Sequence, residues 1–149
     1  MSSMFADCAG WLSGTGTTSA TQAINYMLDT PGSGATGVTV GVGNVSGGAN
    51  AVEGSNVPGV PSGTLMTIAI NGAFFQPGSS ATVGYGVPNW ITGGSLAAQM
   101  LLVIHELAHA VEAPGFNPND NGNPAAQTAN NSLVMKNCGD VISWWAGKD

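Results

Sequence analysis

The apolar positions of this chain follow three rhythms, and each predicts a different element. From 95 to 113 (SLAAQMLLVIHELAHAVEA) they run almost unbroken, with no Gly or Pro inside, Gly93 and Gly94 before, and Pro114 and Gly115 after. Strong helix formers set between breakers predict a helix over 95–113. On a helical wheel His105, Glu106, His109 and Glu112 share about one third of the circumference. Met100, Leu101, Val103, Ile104, Leu107, Ala108 and Val111 cover the rest. A helix apolar on nearly every side is a buried one.

The second rhythm is amphipathic. Ser19 and Gln22 form a capping box, and Ala20, Ala23, Ile24, Met27 and Leu28 follow at helical spacing until Pro31 and Gly32 stop them. The third is alternation. It predicts strands over 37–42 and 66–71, where Met66, Ile68 and Ile70 interleave with Thr67, Ala69 and Asn71, and a further strand over 81–85. Residues 43–63, rich in Gly, Asn, Ser and Pro, read as a long loop or irregular hairpin. The resulting order is helix, strands, long helix, turn, short helix. This predicts an α+β fold, a small mixed sheet with a long buried active-site helix and flanking helices, in a single domain over 1–149.

Ionisable groups on a buried helix need partners. The chain's two histidines, His105 and His109, stand four apart with Glu106 behind the first, an HExxH pattern. Residues so spaced are offset by about 40° around a helix and about 6 Å along it, so both imidazoles project from one face. They can grip one metal ion, and imidazole suits Zn²⁺, whose catalytic sites use three protein ligands and leave a fourth position for water. Glu106, about 60° round the helix from His109, stands beside the metal rather than on it. It is placed to take a proton from metal-bound water and pass it to a leaving amine. The plainer alternative is a pair of ordinary hydrogen-bonded histidines.

With no third histidine, the remaining ligand is a carboxylate, a cysteine or a neutral oxygen. Glu112 lies on the right face but about 10 Å along the helix from His105, which suits a rim or helix-end residue. Asp120 follows Pro114, Gly115, Phe116, Asn117, Pro118 and Asn119, turn formers that reverse the chain just after His109. It is the leading candidate. Asp140 is the rival, either as ligand or as a residue orienting an imidazole. Cys138 ranks third because Cys8 offers it a disulfide. The Asn-rich stretch 117–122 also hints at a calcium loop, but it has too few carboxylates and Thr128 in place of the closing Glu.

The HExxH helix resembles that of the zincin metallopeptidases, and His105, Glu106 and His109 map onto that motif's first ligand, general base and second ligand. The resemblance implies a zincin-like fold, bound zinc and hydrolysis of peptide bonds. The metzincin extension is not met, since Gly115 stands at the third-histidine position and Glu112 replaces the usual glycine. No thermolysin-like downstream glutamate is available. An aspartate third ligand is similar to the aspzincin arrangement, although the Gly-Thr motif of those enzymes is missing. A closer likeness is to small bacterial metallopeptidase-like domains, some within large surface proteins. These read HELxH, a Pro/Asp/Gly/Asn turn, then an Asn-containing helix ending in Cys, here 105–109, 118–123, 130–134 and Cys138, with 67–75 resembling their pre-helix strand. In zincins an edge strand beside the active-site helix pairs with the substrate backbone, and residues 65–71 are the candidate here. Tyr85 and Tyr26 are candidate oxyanion donors, though each also suits a structural role.

Composition narrows the partners. Two lysines, no arginine and eight acids give a net charge of −6. That leaves little capacity to bind nucleic acid. Scarce charge points to substrate selection by apolar pockets and backbone pairing. Cys8 and Cys138 favour a disulfide and an oxidising compartment over two buried free thiols. The N-terminus has neither the basic nor the long apolar region of a signal peptide, and no apolar run is long enough to span a membrane. The expectation is a secreted or extracellular chain, a monomer or a domain of a larger one. Trp144 and Trp145 are expected to cover the core. A zinc endopeptidase leads, with two alternatives: a non-enzymatic interaction module carrying a structural or vestigial metal site, and a metal-dependent hydrolase acting on a non-peptide amide.

Overall fold

The computed structural model describes residues 2–13, the backbone of 40–43, 52–56 and 64–69, and residues 71–148. Four helices organise it: α1 (Ser2–Leu12), the short α2 (Ser80–Val83), α3 (Leu96–Ala110) and α4 (Pro124–Ala146). The capping box and amphipathic stripe over 19–28 lie outside the described residues.

The long buried helix forms as expected. Ser95 caps α3 with its side chain, accepting from the Ala98 amide at 3.1 Å. At the other end the Glu112 amide bonds the His109 carbonyl and the Ala113 amide bonds the Ala108 carbonyl. This Schellman pair needs a left-handed residue, usually Gly, where Glu112 stands at φ 51°. Glu112 is thus a helix-end residue, and the reversal it makes directs 114–120 back along α3. Leu101, Ala98, Ala108 and Val111 are fully enclosed, so α3 is the central element of the core.

The expected α+β layering is corrected. Where side chains are described, the structure is 57% helix and 2% strand, with no sheet, and its β structure there is the single bridge between Gly78 and Gly93. The described core is instead helix against helix, in which Val134, Cys138, Val141 and Ile142 of α4 and Cys8, Trp11 and Leu12 of α1 join the α3 residues. Outside it, strand pairing is described for backbone only: β1 (Val40–Gly43), β2 (Val52–Asn56) and β3 (Thr64–Ala69) pair in the order β1-β3-β2. Over 66–68 β3 has neighbours on both sides, so that part of the strand expected at 65–71 to pair with substrate has no free edge. Residues 81–85 form no strand. The Gly84 amide bonds the Ser80 carbonyl, and the Thr82 hydroxyl donates to the Ser79 carbonyl, which winds the segment into α2.

The final helix, expected to be short, runs for 23 residues. Asn123 caps it by accepting from the Ala126 amide, and Pro124 occupies the first turn, where its missing N–H costs nothing. Trp145 packs on the core, Trp144 meets Phe5 edge-on at 6.2 Å, and Lys148 lies over the Trp144 ring. The expected core-covering role of the tryptophan pair therefore holds for Trp145. Among the described residues no helix is long and apolar enough to cross a membrane.

A disulfide joins Cys8 of α1 to Cys138 of α4 across 130 residues. Such a crosslink removes about 5 kcal/mol of loop-closure entropy from the unfolded chain in the simplest model. Replacing both cysteines by serine should lower unfolding stability by about 2–5 kcal/mol in denaturant titrations. A loss below about 1 kcal/mol would show that helix packing alone seats α1.

Candidate metal centre

The two imidazoles project from the same face of α3, one turn apart, with ring centroids 5.1 Å from each other. The carboxylate of Asp120 reaches both. Its Oδ2 is 2.9 Å from His105 Nε2 and its Oδ1 is 3.2 Å from His109 Nε2. Taken one per residue, the ligand atoms of His105, His109 and Asp120 all lie within 4.8 Å of one another. Of the sequence candidates for the third position, Asp120 is the one brought to the histidines. Glu112 and Asp140 are exposed and outside the cluster, and Cys138 is bonded to Cys8.

The turn that carries Asp120 is held by side-chain amides. The Asn117 amide donates to Asn130 Oδ1 at 2.8 Å, and Asn130 Nδ2 donates both to the Asn117 carbonyl at 2.9 Å and to Asp120 Oδ2 at 2.8 Å. Asn117 Oδ1 accepts from the Asn119 amide, an Asx turn. Asn117 thus commits its side-chain and backbone oxygens to the turn, and the Asp120 carboxylate faces the histidines, which is not the arrangement of a calcium loop. Phe116 stands edge-on to both imidazoles, with centroids 5.0 Å from His105 and 4.7 Å from His109. Trp11 supports it from α1 through a ring contact at 6.0 Å and a bond from its indole N–H to the Pro114 carbonyl.

Asn130 and Asn131 were not singled out as functional residues by the sequence reading, and both are buried. Their signal was available: two adjacent amides inside a helix whose neighbours are apolar must bond to something beyond their own backbone. Asn131 Nδ2 donates to the Tyr85 carbonyl, and its Oδ1 faces His105 Nδ1 at 2.8 Å. The amide oxygen can only accept, so Nδ1 carries a proton. Neutral His105 then turns a bare Nε2 lone pair towards the Asp120 carboxylate, two acceptors 2.9 Å apart. A proton or a cation must lie between them.

The electrostatics follow. Burial disfavours the His105 imidazolium, but the hydrogen bond to Asp120, the charges of Glu106 and Asp120 and the bond to Asn131 outweigh it and hold the imidazole pKa above its ordinary value. Burial also opposes ionisation of Asp120. Hydrogen bonds from His105, His109 and Asn130, together with the His105 charge, reverse that and hold the carboxyl well below the usual carboxylate range.

Two nitrogens and a carboxylate oxygen are a donor set that zinc accepts readily. Donors around a tetrahedral zinc sit about 3.4 Å apart at ordinary bond lengths. The His–Asp separations of 2.9 and 3.2 Å are close to that spacing. Glu106 is buried next to His105, and its charge is felt there. Among the candidate oxyanion donors, Tyr85 has an exposed side chain and meets the centre through its backbone carbonyl, while Tyr26 lies outside the described residues.

Comparison with known protein families, with curated proteins and with solved structures finds no match for this chain. No relative supports the likeness to zincins, which rests on the motif residues and their immediate neighbours.

Proposed function

We propose that this chain is a zinc-dependent endopeptidase in which His105, His109 and Asp120 hold the metal and Glu106 is the general base. The observation that carries the reading is the convergence of His105 Nε2 and His109 Nε2 on one buried carboxylate beside a buried glutamate. Zinc in such a cradle supplies a Lewis acid and lowers the pKa of a water towards 7. Glu106 would accept a proton from the attacking water and return it to the departing amine. Asn131 and Asn130 hold His105 and Asp120 in register, so the ligands do not reorganise during turnover. His109 is the more open imidazole, its side chain 18% exposed against 11% for His105.

The disulfide suits a secreted or extracellular setting. Scarce charge favours peptide substrates recognised through apolar side chains and backbone. Strict selection for acidic side chains in a peptide-library digest would contradict that.

A second reading, a non-enzymatic module with a structural metal site, draws on the deep burial of His105 and Asp120 and on the hydrogen bonds that already surround the Asp120 carboxylate. Metal analysis combined with a peptide-library digest separates the two. The enzyme reading expects about one zinc per chain, cleavage that chelation abolishes, and recovery on adding zinc back. Stoichiometric zinc with no cleavage favours the structural module, and absence of zinc binding overturns both.

A further inference from the structure

We infer that the turn at Gly84, Tyr85 and Gly86 is a positioning element for the metal centre, acting through Asn131 to fix which nitrogen of His105 faces the metal. The inference rests on the metal-binding reading but concerns residues outside the ligand set. Two hydrogen bonds in series carry it. The Tyr85 carbonyl can only accept, so it draws Nδ2 of Asn131 towards itself at 2.8 Å and sets the amide's orientation. The oxygen of that amide therefore points the other way, to His105 Nδ1 at 2.8 Å. Nδ1 keeps its proton, and Nε2 is the nitrogen turned towards Asp120 and His109. Were the amide reversed, its oxygen would face the Tyr85 carbonyl, and its N–H would compete for the wrong imidazole nitrogen.

The turn is built to hold that carbonyl in place. Gly86 sits at φ 73°, where a side chain is strained, and a Cβ there would lie 2.8 Å from Thr128 Cγ2 and 3.0 Å from Thr128 Cα. A Cβ at Gly84 would come within 3.2 Å of Asn131 Nδ2. Both glycines thus allow the turn to lie directly on α4, with Thr128 and Asn131 one helical turn apart beneath it. A side chain at either position lifts the Tyr85 carbonyl away from the amide it orients.

The test uses two readouts on wild type, Asn131→Ala and Gly86→Ala: zinc affinity by competition with a chelator, and the His105 Nδ1–H resonance in ¹⁵N-edited spectra of metal-free protein at neutral pH. Wild type should show Nδ1–H as a slowly exchanging resonance. Asn131→Ala should lose it and bind zinc about 10–100-fold more weakly. Gly86→Ala, whose added Cβ would meet Thr128, should move both readouts in the same direction by a smaller amount. The inference is overturned if the wild-type Nδ1–H exchanges freely, or if Asn131→Ala leaves both readouts unchanged. A protected Nδ1–H in a protein that binds no zinc would keep the relay and refute the metal centre. Unchanged zinc affinity in both variants would do the reverse.

Discussion

Glu106→Gln should leave zinc bound at about one ion per chain and lower peptide hydrolysis by about 10²–10⁴-fold. The amide keeps the shape of the carboxylate, so the ligands are undisturbed. What it loses is the ability to accept a proton, and a positioned general base contributes rate enhancement of that order. The charge of Glu106 also raises the proton affinity of His105, so the substitution should lower the His105 pKa as well. Metal content, steady-state cleavage and an NMR titration of His105 read the three effects. A variant that cleaves peptides as fast as the wild type would remove Glu106 from the reaction.

Asp120→Ala should cost more zinc affinity than loss of a supporting amide does, hence more than about 100-fold. It deletes the carboxylate that completes the ligand cluster with the two imidazoles among the described residues. The Asp120 hydrogen bond is also the largest influence raising the His105 pKa, so without it burial should carry that pKa down. The pH dependence of the metal-free wild type follows from the same pair. The folded pKa of Asp120 is depressed, so its contribution to stability is present above the ordinary carboxylate range and is lost as pH falls through the folded value. The folded pKa of His105 is raised, so its contribution is complete below the ordinary imidazole range and is lost as pH rises through the folded value. Stability from the pair is greatest between those limits. Zinc must displace the proton that His105 shares with Asp120, so its affinity should fall as the solution is acidified. Zinc affinity that rises on acidification would contradict this linkage.

The legible parts of the site were those set by local spacing. Four-residue spacing on a strongly helical segment placed His105 and His109 on one face, and turn formers after Pro114 brought Asp120 back to them. Asn130 and Asn131 were harder to read, because an asparagine within a helix reads locally as a weak helix former. Its use here depends on carbonyls and a carboxylate 10 to 46 residues away in sequence. The same pair, with Gly139 beyond it, made α4 look shorter than it is. The alternating segments at 40–43 and 64–69 do pair as strands, but the layered sheet was over-read because the described core is helix on helix and the alternation over 81–85 marks no strand. Ala81 and Val83 alternate with polar or small residues yet wind into a helical turn, since the side chains around them cap backbone groups locally. For α1 the Cys8–Cys138 pairing was visible, but the packing of Trp11 on Phe116 and its bond to the Pro114 carbonyl were not.

The most direct test is a crystal structure of the protein grown with zinc, with anomalous differences recorded at the zinc edge. The ion is predicted between His105 Nε2, His109 Nε2 and an Asp120 oxygen, each about 2.0–2.2 Å away, with Asn131 still bridging His105 Nδ1 and the Tyr85 carbonyl. A centre that stays empty at saturating zinc, or an ion bound without Asp120, would contradict it.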